Sequence, residues 1–307
     1  MNITIILCTY NRCETLSKAL ASIAVSNVPE SIQWEVLVVD NNSKDQTREV
    51  VESFCHNYPG RFRYLFEPHQ GLSYARNAGV REAEGRILAF IDDDVTVESS
   101  WLENLVASLY RSEWSGCGGR VLPQGTFSRP SWLGLEGRYA LAPLAIFDLG
   151  PEARELREPP FGANMAYRKE MFQKYGSFRT DLGRCADSMI SNEDTEFGHR
   201  LIAGGEKLRY EPSAVVYHPV PNNRLQREYF LEWWFNKARS DIRQLGVPSS
   251  TRCFVVGIPL YLFRRLVVWT VRWIGAIEPS RRFSNKIKTW TVAGQILECY
   301  RHPRGER

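Results

Sequence analysis

The N-terminus of this sequence lacks the marks of a secretory signal. Such a signal begins with a basic segment and ends at a small-residue cleavage site, and neither surrounds the apolar stretch Ile3–Leu7. We therefore expect a cytoplasmic protein.

Cysteines are few and widely scattered. Seven occur in 307 residues, and none forms the Cys-x-x-Cys pattern or another spacing typical of a zinc site. We expect free thiols that lie in the core.

An uninterrupted apolar run of transmembrane length is also missing. The apolar stretch 254–263 continues toward Trp273, but Arg264, Arg265 and Arg272 interrupt it. A charged pair in the middle of the span argues against a transmembrane helix.

Negative charge is scarce in the last part of the chain. Residues 221–307 contain 16 Lys and Arg against 6 Asp and Glu, whereas residues 1–220 contain 23 against 29. The two ranges therefore carry charges of +10 and −6, although the whole chain carries only +4. This contrast indicates two regions with different partners: a domain over 1–220 and a basic extension, helical in pattern, over 221–307.

The first half of the chain alternates short apolar runs with helical patterns. Runs rich in Val, Ile and Leu are typical of strands buried on both faces, and the segments between them suit crossover helices. This order predicts an α/β fold with a mainly parallel sheet flanked by helices. The predicted strands are 3–8, 34–40, 62–67 and 86–92, and the predicted helices are 14–24, 45–55, 72–83 and 99–110.

Polar residues follow three of these strands. They are Thr9, Tyr10, Asn11 and Arg12 after the first strand, Asp40, Asn41, Asn42 and Ser43 after the second, and Asp92, Asp93 and Asp94 after the fourth. Because ligands of open α/β sheets bind beyond the carboxyl ends of the strands, we expect these residues to line one crevice. For Ser43 we prefer a helix-capping role, which does not explain Asp40 at the strand tip.

The chain between Val121 and Phe161 is rich in proline and glycine, which predicts a long loop region. Long loops inside compact domains tend to be functional or mobile, and we expect a flexible segment near the mouth of the crevice. Regular structure should resume at 162–168, and a helix should open near Glu193. Two short strands, 208–211 and 214–218, are predicted to end the domain.

The three consecutive aspartates repel one another unless something positive binds there. Hard carboxylate oxygens suit Mg²⁺ or Mn²⁺, which bind through one or two carboxylates together with substrate phosphates. The alternative is a solvated acidic turn that caps the following helix. The position of the cluster at a strand end favours a ligand site.

Four further residues are candidates for the same crevice. Arg76 carries donors that suit a phosphate or one of the aspartates, although a lone arginine is more often a surface residue. Glu193 and Asp194 stand at a predicted helix start, which favours acidic residues; if that helix faces Asp94, one carboxylate can take a proton from an incoming hydroxyl. His218 is either a third metal ligand or a core histidine, and spacing alone favours the core histidine.

Taken together, these segments resemble the family 2 glycosyltransferases, which have the GT-A nucleotide-diphosphosugar transferase fold. The resemblance spans about residues 3–220. It rests on the ordered motifs Ile5–Arg12, Glu35–Ser43, Gly71–Gly79 and Phe90–Asp94, followed by Glu193–Phe197, where the family carries its acidic catalytic pair.

The resemblance implies a nucleotide-sugar site after the first, second and fourth strands. Thr9, Tyr10 and Arg12 would line the nucleotide pocket, and Asp40, with Asn42 nearby, would accept a hydrogen bond from the base.

The resemblance also implies roles for the acidic clusters. Asp92 would contact the ribose, Asp94 would bind the metal, and Arg76 would lie near the base or the phosphates. Independently of the resemblance, Asp93 is expected to add charge to the donor site, and His218 is a candidate ligand of Mn²⁺ or Mg²⁺. Asp194 would be the general base, with Glu193 as second choice.

The implied reaction is a direct displacement with inversion. The acceptor hydroxyl, deprotonated by Asp194, attacks the anomeric carbon as the nucleoside diphosphate leaves. A retaining covalent route needs a second carboxylate placed as nucleophile, and the sequence offers no distinct one. We expect a UDP-sugar donor, with GDP- and dTDP-sugars as alternatives, and a saccharide or lipid-linked acceptor in cell-envelope polysaccharide or glycolipid synthesis, with no nucleic acid partner.

Other classes of protein fit less well. Nucleotidyltransferases of this fold usually carry a Gly-rich, lysine-containing loop after the first strand, where this chain has Thr9–Arg12, and no Gly-x-Gly-x-x-Gly of a dehydrogenase follows a predicted strand. A nucleotide-sugar-binding protein at a membrane surface is the non-enzyme alternative. The presence of both Asp94 and Asp194 argues against it.

Five of the nine tryptophans lie in the basic extension, interleaved with arginine, leucine and valine. This composition is typical of an interfacial helix, whose apolar side chains enter the acyl boundary while its arginines contact anionic headgroups. The alternative is an ordinary helix that packs on the catalytic domain through its aromatic residues. The interfacial helix would make the enzyme a peripheral protein of the cytoplasmic membrane face.

Overall fold

The structure is a computed structural model that describes residues 2–110, 113–134, 141–186 and 188–302. Residues 135–140 of the predicted loop and 303–307 of the predicted extension lie outside this part. The described chain forms two compact units. The first contains residues 2–125, 145–186 and 193–219, and the second contains the described residues of 126–144, 188–192 and 220–302.

The first unit opens with the predicted βα series, and each boundary lies within two residues of its predicted place. Its elements are β1 (Ile3–Thr9), α1 (Cys13–Ala24), β2 (Trp34–Asp40), α2 (Thr47–Asn57), β3 (Phe62–Phe66), α3 (Leu72–Glu82) and β4 (Ile87–Asp92). Strands β1 and β2 are buried along almost their whole length, as expected for the interior of a sheet covered on both faces.

The second half of this unit alternates short strands and helices. Its elements are β5 (Thr96–Val97), α4 (Trp101–Leu109), β6 (Gly116–Pro123), β7 (Arg154–Leu156), β8 (Asn164–Arg168), α5 (Lys169–Tyr175), α6 (Glu193–Ala203) and β9 (Leu208–His218). The predicted helix start near Glu193 is therefore confirmed.

Strands β1 to β9 form one sheet. β3, β2, β1 and β4 are neighbours in that order and run parallel, which confirms the predicted mainly parallel sheet. Beyond β4 the sheet becomes mixed, because β8 runs antiparallel to both β4 and β6. β9 lies parallel to β6 and antiparallel to β5.

Two sequence predictions in this half are wrong. The two strands expected at 208–211 and 214–218 are one strand, β9, because the chain stays extended past Pro212. Proline has no N–H to donate, and the register between β6 and β9 shifts at this point. Within the predicted loop, Arg154–Leu156 pairs with β9 as a short edge strand. Backbone pairing at an edge needs no apolar pattern, so the sequence gives no signal for it.

None of the seven cysteines, all of which lie in the described ranges, forms a disulfide. Cys117 and Cys299 are buried, but Cys185 and Cys253 are exposed because they lie in connections between elements, so the expectation of core thiols is wrong for these two.

The second unit is mainly helical, as predicted for the extension. It contains α7 (Arg227–Leu245), β10 (Phe254–Val255), β11 (Ile258–Pro259), α8 (Leu260–Gly275) and α9 (Pro279–Arg301). Helix α9 packs against both α7 and α8. The carboxylate of Glu298 on α9 is fully buried and accepts hydrogen bonds from Arg239 and Arg243 on α7.

Residues from the predicted catalytic range also belong to this second unit. Trp132 packs edge-on against Phe230 and Phe283, with ring centroids 5.4 and 4.6 Å away, which attaches its segment to the helices. The functional division of the chain at residue 220 stays a prediction. None of the helices in the described ranges has the length and apolar character that crossing a bilayer requires.

Candidate active site

The register of the parallel strands brings the predicted polar residues to one edge of the sheet. Thr9 pairs with Asp40 across β1 and β2, and Cys8 pairs with Asp92 across β1 and β4. Since these strands all end at this edge, the residues that follow them lie beside one another. The predicted convergence of the three polar clusters follows from this register.

Asp93 is the buried member of the aspartate cluster. Its carboxylate accepts hydrogen bonds from the Thr9 hydroxyl at 2.8 Å and from Arg12 at 3.0 Å, and only 6% of the residue is exposed. Burial raises the pKa of Asp93 to about 6, although the Arg12 guanidinium opposes the shift. Asp93 therefore anchors the cluster to the end of β1.

Asp92 and Asp94 point to a common place together with His218. One potential ligand atom from each of these residues lies within 4.8 Å of the others. Asp94 also lies 3.1 Å from Arg12, and Asp92 has the more exposed side chain. Two carboxylates and one imidazole form a donor set that suits Mn²⁺ or Mg²⁺, so these residues fit the predicted metal.

Pairing between β5 and β9 explains how His218 reaches Asp94. Thr96 pairs with Tyr217 in antiparallel register, so the turn before β5 lies beside the end of β9. The Nδ1 atom of His218 lies 2.8 Å from the carbonyl oxygen of Pro219, and Nε2 lies 3.4 Å from Asp94. A hydrogen bond from Nδ1–H to that carbonyl leaves the Nε2 lone pair directed at the cluster, as in many metal-binding histidines.

Arg76 joins the two acidic clusters. Its guanidinium lies 2.5 Å from the Glu193 carboxylate and 3.7 Å from that of Asp92, and both Arg76 and Glu193 are almost fully buried. Burial raises the pKa of Glu193 to about 7, with Arg76 opposing the shift and Asp194 adding to it. The second oxygen of Glu193 is buried with no hydrogen-bond partner in the described part of the chain.

Asp194 is more accessible than Glu193. It is partly exposed in the first turn of α6, where one carboxylate oxygen accepts the N–H of Gly162 at 2.7 Å and the other accepts the N–H of Thr195 at 2.6 Å. These two bonds fix the orientation of the carboxylate. Of the acidic pair, Asp194 has the accessibility that a general base needs.

The remaining predicted nucleotide residues lie around the ends of β1 and β2. Asp40 is buried and accepts hydrogen bonds from the Tyr64 hydroxyl at 2.8 Å and from the Ser43 N–H at 2.9 Å. Asn42 adopts a left-handed conformation with φ of 68°, which asparagine tolerates better than most residues. Tyr10 is partly exposed at the end of β1.

The capping role preferred for Ser43 is wrong. Its hydroxyl accepts the N–H of Asn11, and Asp45 accepts the N–H and the hydroxyl of Thr47, the first residue of α2. Ser43 lies too far from the helix to cap it because α2 begins later than expected, and the residue before it, Gln46, makes no side-chain capping bond.

Sequence reasoning missed two residues of this site. A Cβ atom on Gly162 would lie 2.7 Å from both Arg76 Nη2 and Asp194 Oδ2, so only glycine fits there without displacement. Tyr167 is fully buried near Arg76 and Asp194, and its hydroxyl has no hydrogen-bond partner in the described residues. Gly162 opens the segment 162–168, where regular structure was predicted to resume, and was a visible signal, whereas the place of Tyr167 depends on the sheet order.

A model of the family described as glycosyl transferase family 2 matches residues 4–176. This range is more than half of the chain, and the chain belongs to this family. The resemblance predicted from the motifs is confirmed, and the protein is a glycosyltransferase.

Two relatives share most of their length with this chain. The succinoglycan biosynthesis protein ExoM of Rhizobium meliloti is 29% identical over 247 residues, which cover 80% of this chain and 76% of that protein. The glucosyl-dolichyl phosphate glucuronosyltransferase of Haloferax volcanii is 26% identical over 240 residues, which cover 76% and 75%.

The fold is also similar to that of a solved glycosyltransferase. The mannosyltransferase PcManGT of Pyrobaculum calidifontis, in complex with GDP-Man and Mn²⁺, superimposes with a TM-score of 0.57 at 18% identity over 97% of this chain and 73% of that chain. The predicted GT-A fold is confirmed.

Proposed function

We propose that this protein is an inverting, metal-dependent glycosyltransferase that moves a sugar from a nucleotide-diphosphate sugar to an acceptor hydroxyl. The observation that carries the proposal is the position of Arg76 between Asp92 and Glu193. This arginine connects the aspartate cluster after β4 with the acidic start of α6. A donor-binding group and the candidate base Asp194 therefore belong to one site, as a direct displacement requires.

On the donor side, Asp92, Asp94 and His218 would hold Mn²⁺ or Mg²⁺. A bound cation would neutralise the charge that develops on the leaving diphosphate. The carboxylate of the buried Asp93 accepts hydrogen bonds from Thr9 and Arg12, which hold this cluster. Asp92, for which the resemblance implies contact with the ribose, is then a candidate metal ligand as well.

On the acceptor side, Asp194 would take the proton from the attacking hydroxyl. Its carboxylate is held by the N–H groups of Gly162 and Thr195, so the orientation of the base is set before the acceptor binds. Glu193 is buried against Arg76, which supports a role in holding the arginine rather than in proton transfer.

The donor is proposed to be a UDP-sugar, with GDP- and dTDP-sugars as alternatives. The similarity to a succinoglycan biosynthesis protein and to a glucosyl-dolichyl phosphate glucuronosyltransferase supports a saccharide or lipid-linked acceptor and a place in cell-envelope polysaccharide or glycolipid synthesis. We also propose that the protein acts as a peripheral protein at the cytoplasmic face of a membrane.

A thermal-shift screen tests the donor and metal parts of this proposal. Wild-type protein is incubated with UDP-, GDP- and dTDP-sugars, with and without Mn²⁺, beside Asp94→Asn and the exposed control Glu30→Gln. We expect one nucleotide class to raise the melting temperature only with Mn²⁺, and the increase to be lost in Asp94→Asn and kept in Glu30→Gln. Equal stabilisation without metal, or an unchanged response in Asp94→Asn, would contradict the proposal.

Donor binding without transfer would favour the alternative of a nucleotide-sugar-binding protein. The discriminating measurement is release of nucleoside diphosphate from the selected donor in a membrane extract that supplies acceptors. Release that needs Asp194 supports the transferase.

A further inference from the structure

Helix α8 exposes an apolar stripe along one side. Val267, Val271 and Ile274 recur at helical spacing and are 62, 63 and 69% exposed, and Ile277 just beyond the helix is 96% exposed. Only Leu262 of this helix is buried. Helix α8 packs on α9 with one side, and its row of aliphatic side chains remains in solvent on a different side.

The hairpin before α8 adds two more apolar side chains. Val255 and Val256 are exposed, and Val256 and Gly257 form the turn between β10 and β11 with φ values of 49° and 75°. Turns with two positive φ values favour asparagine or glycine, and a β-branched residue at such a position costs on the order of 1–2 kcal/mol. An aliphatic side chain is thus held at the tip at the expense of stability, which points to a function for it.

These exposed side chains are concentrated in one short segment. Of the fifteen large apolar residues that are exposed in the described chain, eight lie between residues 255 and 277. We call them the insertion face: Val255, Val256, Leu260, Val267, Val268, Val271, Ile274 and Ile277. Scattered apolar residues on a surface need no explanation, but a concentration of this kind marks an interaction site.

The segment that carries the insertion face is strongly basic. Residues 252–288 contain eight Lys and Arg and a single acidic residue, Glu278. Cations also lie over the tryptophans of this region: Arg272 and Lys288 are 4.9 and 4.5 Å from the Trp269 ring, and Lys286 is 5.2 Å from the Trp273 ring. Aliphatic, aromatic and cationic groups together are the composition of a helix at a lipid–water interface.

The charge also distinguishes between two possible partners of the insertion face, a second copy of this chain and a lipid surface. In a symmetric dimer the same surface meets itself, so the basic segment 252–288 of one copy would lie near that of the other, with Glu278 as its single acidic residue. An anionic lipid surface supplies the opposite charge instead, with a contribution of about 1 kcal/mol for each Lys or Arg near it.

We propose that the insertion face enters the headgroup and upper acyl region of a bilayer that contains anionic lipid, with α8 lying in the plane of the membrane. This inference rests on the proposed peripheral location and names the surface and the lipid class responsible for it. Helix α8 has 16 residues, too few to span a bilayer, which fits a helix that lies on the surface.

Vesicle flotation of the full-length chain tests the proposal. The vesicles are phosphatidylcholine alone and phosphatidylcholine mixed with phosphatidylglycerol. The variants are Val267→Ser/Val271→Ser/Ile274→Ser and, as a matched control, Val25→Ser/Leu245→Ser, whose side chains are equally exposed but lie outside the insertion face. Because all five side chains are in solvent, we expect these changes to leave folding and the donor-dependent thermal shift intact.

We expect the wild type and the control to float with the anionic vesicles and the triple variant to bind them at least about tenfold more weakly.

Unchanged binding of the triple variant would overturn the assigned face while leaving the membrane location in place. Failure of the wild type to bind any vesicle would overturn the location, and equal binding to phosphatidylcholine alone would overturn the anionic requirement. A dimer in light scattering that the triple variant dissociates would assign the face to a second copy instead. None of these outcomes changes the donor response, so the transferase proposal is tested separately.

Discussion

Replacing Arg76 by methionine would leave Glu193 buried without its counter-ion. The two side chains are 4 and 5% exposed and lie 2.5 Å apart, and removal of one partner from such a pair typically costs about 3–5 kcal/mol. The second oxygen of Glu193 has no hydrogen-bond partner in the described residues that could offset the loss. We therefore expect Arg76→Met to lower the free energy of unfolding by an amount in this range.

The control is Arg81→Met on the same helix. Arg81 lies 3.7 Å from Glu67, but its side chain is 64% exposed, so its loss should cost less than about 1 kcal/mol. Urea unfolding followed by circular dichroism compares the two variants with the wild type.

The cost of Arg76→Met should depend on pH in a definite direction. Burial raises the pKa of Glu193 and Arg76 opposes the shift, so loss of Arg76 would raise this pKa further. A carboxyl group whose pKa is higher in the folded state destabilises the fold above its unfolded pKa, and this penalty grows until the pH passes the folded pKa. The cost should thus be largest at pH 8 and fall toward pH 5, and Glu193→Gln in the same chain should remove the pH dependence. A cost equal to that of Arg81→Met, or one that is the same at both pH values, would refute this account of the pair.

Three other outcomes follow from the same site and from the second unit. Asp194→Asn should lower the rate of nucleoside diphosphate release by about 10²–10⁴-fold while leaving the donor-dependent thermal shift unchanged; loss of both would assign Asp194 to donor binding. Gly162→Ala should lower the release rate because its Cβ would meet Arg76 and Asp194 at 2.7 Å, whereas Gly134→Ala, whose Cβ would meet no atom of the described residues within 4 Å, should be neutral. Glu298→Gln should destabilise the chain by several kcal/mol in urea unfolding because two arginines would lose their buried partner; a change below about 0.5 kcal/mol would show that the buried charge contributes no net stability.

The sequence was sufficient for the parts of the fold that local pattern determines. Each strand and helix from β1 to α4 shows its own apolar period, so the series to Leu109 could be predicted except for the two-residue strand β5. Strand β6 begins Gly-Cys-Gly-Gly, which carries little strand pattern, and β7 is a short edge strand in a Pro/Gly-rich region. Pairing with distant strands rather than local preference places these elements in the sheet.

The same distinction applies to the site. The polar clusters after β1, β2 and β4 converge because these strands run parallel, and the alternation of strands and helices in the sequence predicts this. The pairing of Arg76 with Glu193 joins residues 117 positions apart, and the approach of His218 to Asp94 depends on a two-residue strand. Such contacts follow from the sheet order of the folded chain, which the sequence pattern does not contain.

Asp93 shows how the structure changes the interpretation of a motif. The sequence indicated only additional charge at this position. In the fold it is the residue of the three with the least exposure, and its contacts with Thr9 and Arg12 tie the cluster to the end of β1.

The measurement that tests the account most directly is Mn²⁺ binding by electron paramagnetic resonance. The signal of free Mn²⁺ is titrated with wild type, Asp94→Asn, His218→Gln and Glu30→Gln in the presence of the nucleoside diphosphate selected by the thermal-shift screen. The account predicts that the wild type and Glu30→Gln bind the ion, and that Asp94→Asn and His218→Gln each weaken binding by at least about tenfold, because each removes a ligand atom. Wild-type affinity in Asp94→Asn would contradict the assignment of this cluster as the metal site.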